Sequence, residues 1–318
     1  MLSDATLLRY ADLVDDIGID AAAEKVGIKK ETMRRNIRFW RNKSGESKPA
    51  FDDKLIQQLQ SRFTAEELRR LLSSSHFENL GTTVEHSFDG DRVCFGFLTD
   101  LHLGSIYTHL DILESALEMC RARGVEFIAI AGDIFEGLSH RPGHAYECSH
   151  LGYSAQLQHG REVLGSWNES PIYIIDGNHD RWYIKSNGAV ICEELARSCD
   201  NITFLGHDEG DIKLGHITIK LWHGEDGSSY AFSYRVQKIV ESFTGGEKPN
   251  ILLCGHTHKA FYTYDRHIHC LSGGAIQTQS KWMRSKRQQN HTGFWIVEMT
   301  VNDNGVASFS PEFFPFYR

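Results

Sequence analysis

Five short runs of apolar residues dominate the pattern of the chain after residue 82, and helical stretches separate them. The runs span residues 93–99, 125–131, 172–175, 217–222 and 251–254. They are rich in β-branched and aromatic residues, which is typical of buried strands. Strands that alternate with helices indicate an α/β domain, and we expect this domain to span residues 82–318.

The first 45 residues have a different periodicity, which predicts three short helices. The first helix is expected at residues 3–16, and a turn at residues 17–19 follows it. Asp20 is the expected N-cap of a second helix over residues 21–26. Gly27 should end that helix in a tight turn, as a helix-turn-helix requires.

The third predicted helix combines an apolar face with a basic one. Met33, Ile37 and Trp40 are spaced i, i+4, i+7 and should share the apolar face. The basic residues of this helix include Arg34, Arg35, Arg38 and Arg41. Residues 29–43 hold seven lysines and arginines and one acid, whereas the whole chain has a net charge of −8. A basic element on an acidic protein predicts a local anion-binding role.

The stretch Ala-Ala-Glu-Lys-Val-Gly-Ile, followed by Arg-Arg-Asn-Ile-Arg, resembles the helix-turn-helix of DNA-binding modules. This resemblance implies that residues 1–45 bind DNA through the arginines of the third helix. A solvated basic helix and a protein-docking bundle are the alternative interpretations. Residues 46–81 contain amphipathic pieces without candidate chemistry, and we interpret them as a helical linker.

Composition excludes several classes of protein. With 41% hydrophobic and 24% charged residues, the chain is typical of soluble globular proteins. No apolar run approaches the roughly 18 residues of a membrane span, and the N-terminus lacks a signal-peptide pattern. The seven cysteines are scattered without a CxxC pair, which argues against a disulfide framework or a structural zinc site. We therefore expect a cytoplasmic protein without membrane association.

Each of the five apolar runs ends in a polar cluster. The clusters are Asp100-Leu101-His102, Gly132-Asp133, Asp176-Gly177-Asn178-His179-Asp180, His223-Gly224 and Gly255-His256-Thr257-His258. Ligands of α/β sheets bind at the carboxyl ends of strands, so these clusters predict one shared site. An isolated Asp-x-His after a strand is more often a turn, but five clusters in order favour a metal site. Carboxylate, imidazole and amide ligands together suit manganese, iron or zinc.

These clusters resemble the five-block signature of the calcineurin-like metallophosphoesterases over about residues 92–300. The resemblance implies a four-layer double β-sandwich flanked by helices, with two divalent metals, Mn²⁺ as the first choice, at one edge. The ligands that it implies are Asp100, His102 and His258 for the first metal, Asn178, His223 and His256 for the second, and Asp133 between the two. His179 matches the catalytic histidine of the family, and Asp180 is expected to orient it.

The expected mechanism follows from this resemblance and from the charges. Two metals roughly 3.5–4 Å apart would clamp the phosphate oxygens and lower the pKa of a bridging water, so that hydroxide attacks phosphorus. His179 would protonate the leaving oxygen or stabilise its developing charge.

Departures from related blocks narrow the substrate class. Protein Ser/Thr phosphatases carry Gly-Asp-x-x-Asp-Arg-Gly, whereas residues 132–137 read Gly-Asp-Ile-Phe-Glu-Gly and lack the arginine. Lipid-A pathway pyrophosphohydrolases share Gly-Asp-Ile-Phe-Glu but have an arginine where this chain has His179. The block at residues 177–180 and the N-terminal module are more similar to the phosphodiesterase and nuclease side, which includes bacterial DNA-repair exonucleases.

A second basic stretch follows the last of these blocks. Its cations are Lys281, Arg284, Lys286 and Arg287. They are candidates to hold a nucleic-acid backbone, and Trp282 is a candidate to stack a base. A solvated surface loop is the alternative. Residues 138–160 contain four histidines and Arg141, and they are expected to form a substrate-side loop and helix or, equally, a plain polar helix.

The C-terminal pattern predicts a β-hairpin. Residues 294–299 and 306–309 read as two strands, and Asn304-Gly305 supplies the turn. The apolar tail at residues 313–317 is expected to cover a core, and a partner site is the alternative.

We therefore expect a two-metal phosphodiester hydrolase that acts on DNA as a nuclease. The alternative is a phosphoesterase for a small nucleotide or nucleotide sugar, with the N-terminal module as a regulatory or docking element. A homo-oligomer and a partner ATPase are left open by the sequence.

Overall fold

The computed structural model describes residues 4–44, 82–225, 233–244 and 247–317. The chain divides into two compact units, residues 1–77 and 78–318. The predicted linker at residues 46–81 lies outside the described residues.

In the first unit the structure describes residues 4–44, which form three helices: α1 (Asp4–Ile17), α2 (Ile19–Val26) and α3 (Lys30–Ser44). The prediction that Asp20 caps α2 is wrong, because α2 begins at Ile19 and Asp20 lies inside the helix. Gly18 precedes it with a φ of 81°, a conformation that favours glycine. The predicted turn at Gly27 is confirmed, since Gly27 has a φ of 73° and its N–H bonds back to carbonyls of α2.

A small apolar core holds these helices together. Ala22, Ala23, Met33 and Ile37 are its buried residues. Met33 and Ile37 therefore lie on one buried face, as their spacing predicts. Arg34 and Arg35 are exposed, whereas the structure does not describe the side chains of Arg38, Trp40 and Arg41.

The described residues of the second unit form two six-stranded sheets. The first sheet has the order β1 (Thr83–Glu85), β6 (Glu209–Leu214), β7 (Ile217–Trp222), β8 (Ile251–Cys254), β10 (Ile268–Gly273) and β9 (Ala260–Asp265). The second has the order β12 (Gly305–Pro315), β11 (Gly293–Asn302), β2 (Arg92–Leu98), β3 (Phe127–Ala131), β4 (Ile172–Asp176) and β5 (Ile202–His207). All five predicted strands are present among them.

The α-helices in the described part of this unit are α4 (Leu110–Arg123), α5 (Tyr153–Val163), α6 (Trp182–Asn187), α7 (Ile191–Ser198), α8 (Tyr234–Ser242) and α9 (Lys281–Ser285). None of the helices in the described ranges is both long and apolar enough to cross a membrane.

Successive residues of the strands face opposite sides of each sheet, so each sheet contributes to two cores and the unit has four layers. Phe95 and Phe97 of β2 pack with Ile219 and Leu221 of β7 in a core between the two sheets. Residues on the opposite face of the second sheet form a core with α4, α5 and α7. The outer face of the first sheet packs against α8. This is the helix-flanked double sandwich that the sequence predicts.

The C-terminal hairpin is confirmed and is longer than predicted. β11 and β12 pair antiparallel over their whole length, and β11 also joins β2. Phe314 and Phe316 pack against the core beneath the second sheet, while Tyr317 is 89% exposed. The tail therefore covers a core in part.

Parallel pairing gathers strand ends at one edge of the sandwich. β2, β3 and β4 are neighbouring parallel strands, and so are β7 and β8 in the other sheet. The loops after these five strands carry the five polar clusters.

Candidate metal centre

The backbone of the five loops is unusual at the candidate ligands. Nine non-glycine residues in the described part of the chain have a positive φ. Five of them are candidate ligands: Asp100 (53°), His102 (49°), Asp133 (50°), His256 (71°) and His258 (53°). This left-handed region is costly for residues with a Cβ, and such residues cluster at functional sites.

Two groups of side chains lie close enough to hold a metal ion each. The ligand atoms of Asp100, His102 and His258 lie within 4.8 Å of one another, and so do those of Asp133, His223 and His256. We call these groups, with Asn178 added to the second, the first and second halves of the centre. A third group, His102, Glu136 and His179, meets the same distance. His102 and Glu136 form a hydrogen bond in it, so we interpret this group as support for the first half.

The first half is built from buried groups whose polar atoms face one another. His102 Nε2 lies 3.3 Å from His258 Nε2, and Asp100 Oδ1 lies 3.1 Å from His258 Nε2. Asp100 Oδ1 is buried and accepts no hydrogen bond from the residues that the structure describes. Two imidazole nitrogens and one carboxylate oxygen that converge in this way fit a divalent cation.

Hydrogen bonds on the far side of the rings select Nε2 as the ligand atom. His102 Nδ1 lies 3.0 Å from Glu136 Oε2, and His258 Nδ1 lies 2.9 Å from Asn290 Oδ1. The Asn290 amide nitrogen donates to Gln277 O, which assigns its oxygen as the acceptor. Both rings therefore carry hydrogen on Nδ1, and the lone pair of Nε2 points to the centre.

The second half contains an amide as well as imidazoles. Asn178 Oδ1 lies 2.8 Å from His256 Nδ1 and 3.3 Å from His223 Nε2. His223 Nδ1 lies 2.6 Å from the carbonyl oxygen of Ala131, so Nδ1 carries the hydrogen and Nε2 is free for a metal. His256 presents Nδ1 instead.

Asp133 lies between the two halves. Its Oδ2 is 3.2 Å from His223 Nε2 and 3.8 Å from His102 Nε2. Its Oδ1 accepts the backbone N–H of His179 at 2.8 Å. One carboxylate oxygen is therefore held by the protein, and the other faces both halves.

Close backbone contact explains the glycine before Asn178. A Cβ at Gly177 would lie 2.2 Å from Asp133 Oδ1 and 2.7 Å from His223 Nε2. Any larger residue would displace the carboxylate from its position between the halves.

Buried carboxylates make the centre strongly negative. Burial opposes ionisation of Asp133, but the charge and hydrogen bond of His223, together with the charges of His179 and His102, outweigh it and hold the pKa of Asp133 well below its usual value. Burial also opposes protonation of His223 and His102. Contacts with Asp133 raise the pKa of His223 to about 10, and Glu136 raises that of His102 to about 9. The protein alone balances these carboxylates with protons, which cations would replace.

His179 lies beside the first half. Its ring is 4.5 Å from that of His102, between centroids, and 3.9 Å from that of Trp182. Its Nδ1 lies 2.8 Å from the carbonyl oxygen of Glu136 and must donate to it, which leaves Nε2 free. Burial lowers the pKa of His179 to about 4.

Asp180 does not have the contact that we expected. Its carboxylate accepts the backbone N–H groups of Ile134, Phe135 and Gly177, at 3.2, 2.8 and 2.8 Å. These bonds tie the loop after β3 to the loop after β4. The Glu136 carbonyl, not Asp180, is the partner of the His179 ring. Burial raises the pKa of Asp180 to about 7, and the charge of Asp133 adds to this rise.

Sequence patterns did not reveal Glu136 and Asn290 as supports of the ligands. Glu136 is buried and lies 2.8 Å from His144 Nε2 as well as contacting His102. Gln277 also donates to Glu136, at 3.3 Å. Glu136 could have been found from its position three residues after Asp133. Asn290 follows no regular spacing from a ligand and could not have been found in this way.

The second basic stretch starts at a loop that reaches the centre. The N–H groups of Ile276 and Gln277 donate to the carbonyl oxygen of Asp100, at 3.2 and 3.4 Å. The cations that follow, Lys281, Arg284, Lys286 and Arg287, are exposed on and after α9. Trp282 is 44% exposed, and Met283 is buried beneath it.

The segment at residues 138–160 is divided between loop and helix. His144 is buried against Glu136, and α5 begins at Tyr153. The rings of His150 and His159 stack at 4.0 Å.

The family model for the calcineurin-like phosphoesterase superfamily domain matches residues 94–300. A curated relative, the DNA polymerase II small subunit of Methanothermobacter thermautotrophicus, is 22% identical over 237 residues. The match covers 59% of this chain and 48% of that protein, so the chain spans about half the length of this relative.

The chain also matches several solved structures, with TM-scores below 0.5. An archaeal phosphodiesterase is 13% identical, with a TM-score of 0.41 and coverage of 70% of this chain and 100% of its own. YfcE, a phosphoesterase from E. coli, is 17% identical, with a TM-score of 0.37 and coverage of 69% and 98%. Vacuolar protein sorting 29 from Cryptosporidium parvum is 12% identical, with a TM-score of 0.38 and coverage of 71% and 100%.

Proposed function

Since the chain belongs to the calcineurin-like phosphoesterase superfamily, we propose that it hydrolyses phosphodiester bonds and that its substrate is DNA. The convergence of the two ligand groups on Asp133 Oδ2 carries the proposal. The family and the clustered ligands imply divalent metal ions, and we propose that manganese is the metal in use.

The protein would hold the two ions through the ligands of each half. These are Asp100, His102 and His258 in the first half, Asn178, His223 and His256 in the second, and Asp133 between them. When bound, such ions neutralise phosphate charge and lower the pKa of water. The hydrogen bonds from Glu136, Asn290 and the Ala131 carbonyl keep the imidazole rings oriented for this task.

His179 is the proposed catalytic residue that assists the leaving group. Its Nδ1 hydrogen is committed to the Glu136 carbonyl, so Nε2 is the atom that would exchange a proton with the departing oxygen. Contact with the Trp182 ring, which is tilted by 32° to it, restricts the orientation of the His179 ring. Asp180 is a proposed positioning residue, because it joins the backbone just after Asp133 to the backbone just before His179.

Three observations favour DNA as the substrate. Exposed cations lie on the segment that continues from the loop beneath Asp100. Arg34 and Arg35 are exposed on α3, where a DNA-binding module would present them. The curated relative is named as a DNA polymerase subunit. The same name favours the proposal that this chain works within a larger assembly.

Labelled DNA provides the test. The full chain with manganese would be incubated with end-labelled linear and closed circular DNA, both single- and double-stranded. We expect degradation that is absent with EDTA and in Asp133→Asn. Sparing of closed circles would assign an end-dependent nuclease. Intact DNA beside hydrolysis of a small chromogenic diester would refute the nuclease proposal.

A double variant tests the N-terminal unit separately. Arg34→Ala combined with Arg35→Ala should weaken DNA degradation and leave hydrolysis of the small diester unchanged, because these arginines lie outside the phosphoesterase unit. Equal DNA degradation by both proteins would remove these two residues from the DNA-binding role.

A further inference from the structure

A cleft of about 580 Å³ lies beside the C-terminal tail of the chain. Its walls come from the loop before α9, the loop after it and the end of β12 with the tail. The polar and aromatic residues of its lining include Gln279, Arg284, Asn290, Phe313, Phe316 and Tyr317. The volume suits a small organic ligand.

The cleft shares a wall with the first half of the centre. Asn290, which lines the cleft, bonds the ring of His258 at 2.9 Å. The next residue, His291, also lines the cleft and donates its N–H to the carbonyl oxygen of His258 at 2.8 Å. The cleft therefore borders the first half through the groups that support His258.

Aromatic side chains form one side of the cleft. Phe313 is held against Trp295, with ring centroids 4.9 Å apart. The backbone N–H of Phe316 donates to Thr292 O at 2.9 Å, which fixes the tail across the cleft. Tyr317 is 89% exposed, so its ring is available to a ligand. Flat apolar faces of this kind stack nucleobases.

Charged and polar groups also line the cleft. Arg284 is exposed at the cleft and has no ion-pair partner among the residues that the structure describes. Gln279 and Thr278 add amide and hydroxyl groups to the lining. Aromatic rings, one unpaired cation and a few hydrogen-bonding groups together match a nucleoside phosphate better than an uncharged apolar ligand.

We propose that this cleft is a nucleobase subsite, which binds the base of the nucleotide whose phosphate lies at the metal centre. Phe316 and Tyr317 stack on the base, and Arg284 faces an adjoining phosphate. The proposal rests on the proposed phosphodiesterase function, since that function places a phosphate at the metals.

Calorimetric binding to the full, manganese-loaded chain tests the subsite. The probes are thymidine 5′-monophosphate and 2-deoxyribose 5-phosphate, which carry thymine and a hydroxyl, respectively, at C1′ of the same sugar phosphate. We expect the nucleotide to bind about tenfold more tightly, because one stacked base contributes on that scale. Tyr317→Ala should remove most of this difference and leave 2-deoxyribose 5-phosphate binding unchanged. Tyr264→Ala, an exposed tyrosine on β9, is the matched control.

Equal affinity of the wild-type chain for the two probes would overturn the subsite, and so would an unchanged difference in both Tyr317→Ala and a Phe316→Leu variant. Hydrolysis of thymidine 5′-(p-nitrophenyl phosphate), measured in parallel, separates this result from the proposed function. Base-dependent binding without hydrolysis sustains the subsite and refutes the phosphodiesterase. Hydrolysis with equal affinities refutes the subsite alone. Binding of the oligonucleotide (dT)₄ is measured as well. Tighter binding of (dT)₄ than of thymidine 5′-monophosphate would identify polymeric DNA as the ligand, and otherwise the ligand is a free nucleotide.

Discussion

The two halves of the metal centre use similar ligands but are held in different ways. In the first half, side chains orient the histidines: the Glu136 carboxylate bonds His102, and the Asn290 amide bonds His258. In the second half, the backbone carbonyl of Ala131 holds His223. Mutation can remove a side-chain partner but not a carbonyl. The first half can therefore be weakened from outside the ligand set, whereas the backbone partner in the second is protected from substitution.

Asp133→Asn should have the largest effect, because Asp133 Oδ2 faces both halves. We expect loss of both metals and a fall in kcat/KM of about a thousandfold or more, since metal ions contribute several kcal/mol to such reactions. Metal analysis by mass spectrometry after desalting measures the first effect. Asp303→Asn, at an exposed turn, is the control. Retention of one full equivalent of metal would show that Asp133 serves one half only.

His179→Gln should separate catalysis from metal binding. His179 contacts neither half as a ligand in our assignment, so metal content should stay at the wild-type level. We expect kcat to fall by about a hundredfold, which is typical for loss of a proton-transfer group. A comparable fall in metal content would instead place His179 among the ligands.

Glu136→Gln tests the asymmetry between the halves directly. The glutamine keeps the shape of Glu136, but it cannot accept hydrogens from both His102 and His144 as a carboxylate does. We expect the metal affinity of one site to fall by roughly thirtyfold, as for other supports of metal-bound histidines. The second site should keep its affinity. Titration of the metal-free protein with manganese, followed by electron paramagnetic resonance, resolves the two sites. Glu169→Gln, at an exposed ion pair, is the control, and an equal loss at both sites would remove the asymmetry.

Asn290→Ala should give the smallest effect of this series. The ring of His258 would lose one neutral hydrogen bond but keep its backbone position. We expect about a tenfold loss of affinity at the same site as in Glu136→Gln. The double variant should weaken only that site further. A loss at the other site would contradict the assignment of His258 to the first half.

Much of the fold followed from the sequence because strand periodicity and polar clusters are local signals. The five strands, the hairpin and the convergence of their loops were predictable in this way. Asn290 was not, because it reaches His258 across 32 residues of intervening chain. The role of Asp180 was missed for a related reason. Its partners are backbone N–H groups, whose positions depend on loop conformation and not on residue type.

The left-handed residues at the ends of the strands have a consequence for local stability. Each such conformation costs on the order of 1 kcal/mol for a residue with a Cβ, and five of them lie at one edge of the sandwich. Without metals, this edge also holds mutually close carboxylates. Opening fluctuations of the metal-free protein should therefore begin there, while the strands remain closed. Hydrogen exchange of the amides of Asp100, Asp133 and His256 should slow markedly when manganese is added, and amides in the core between the sheets should change little.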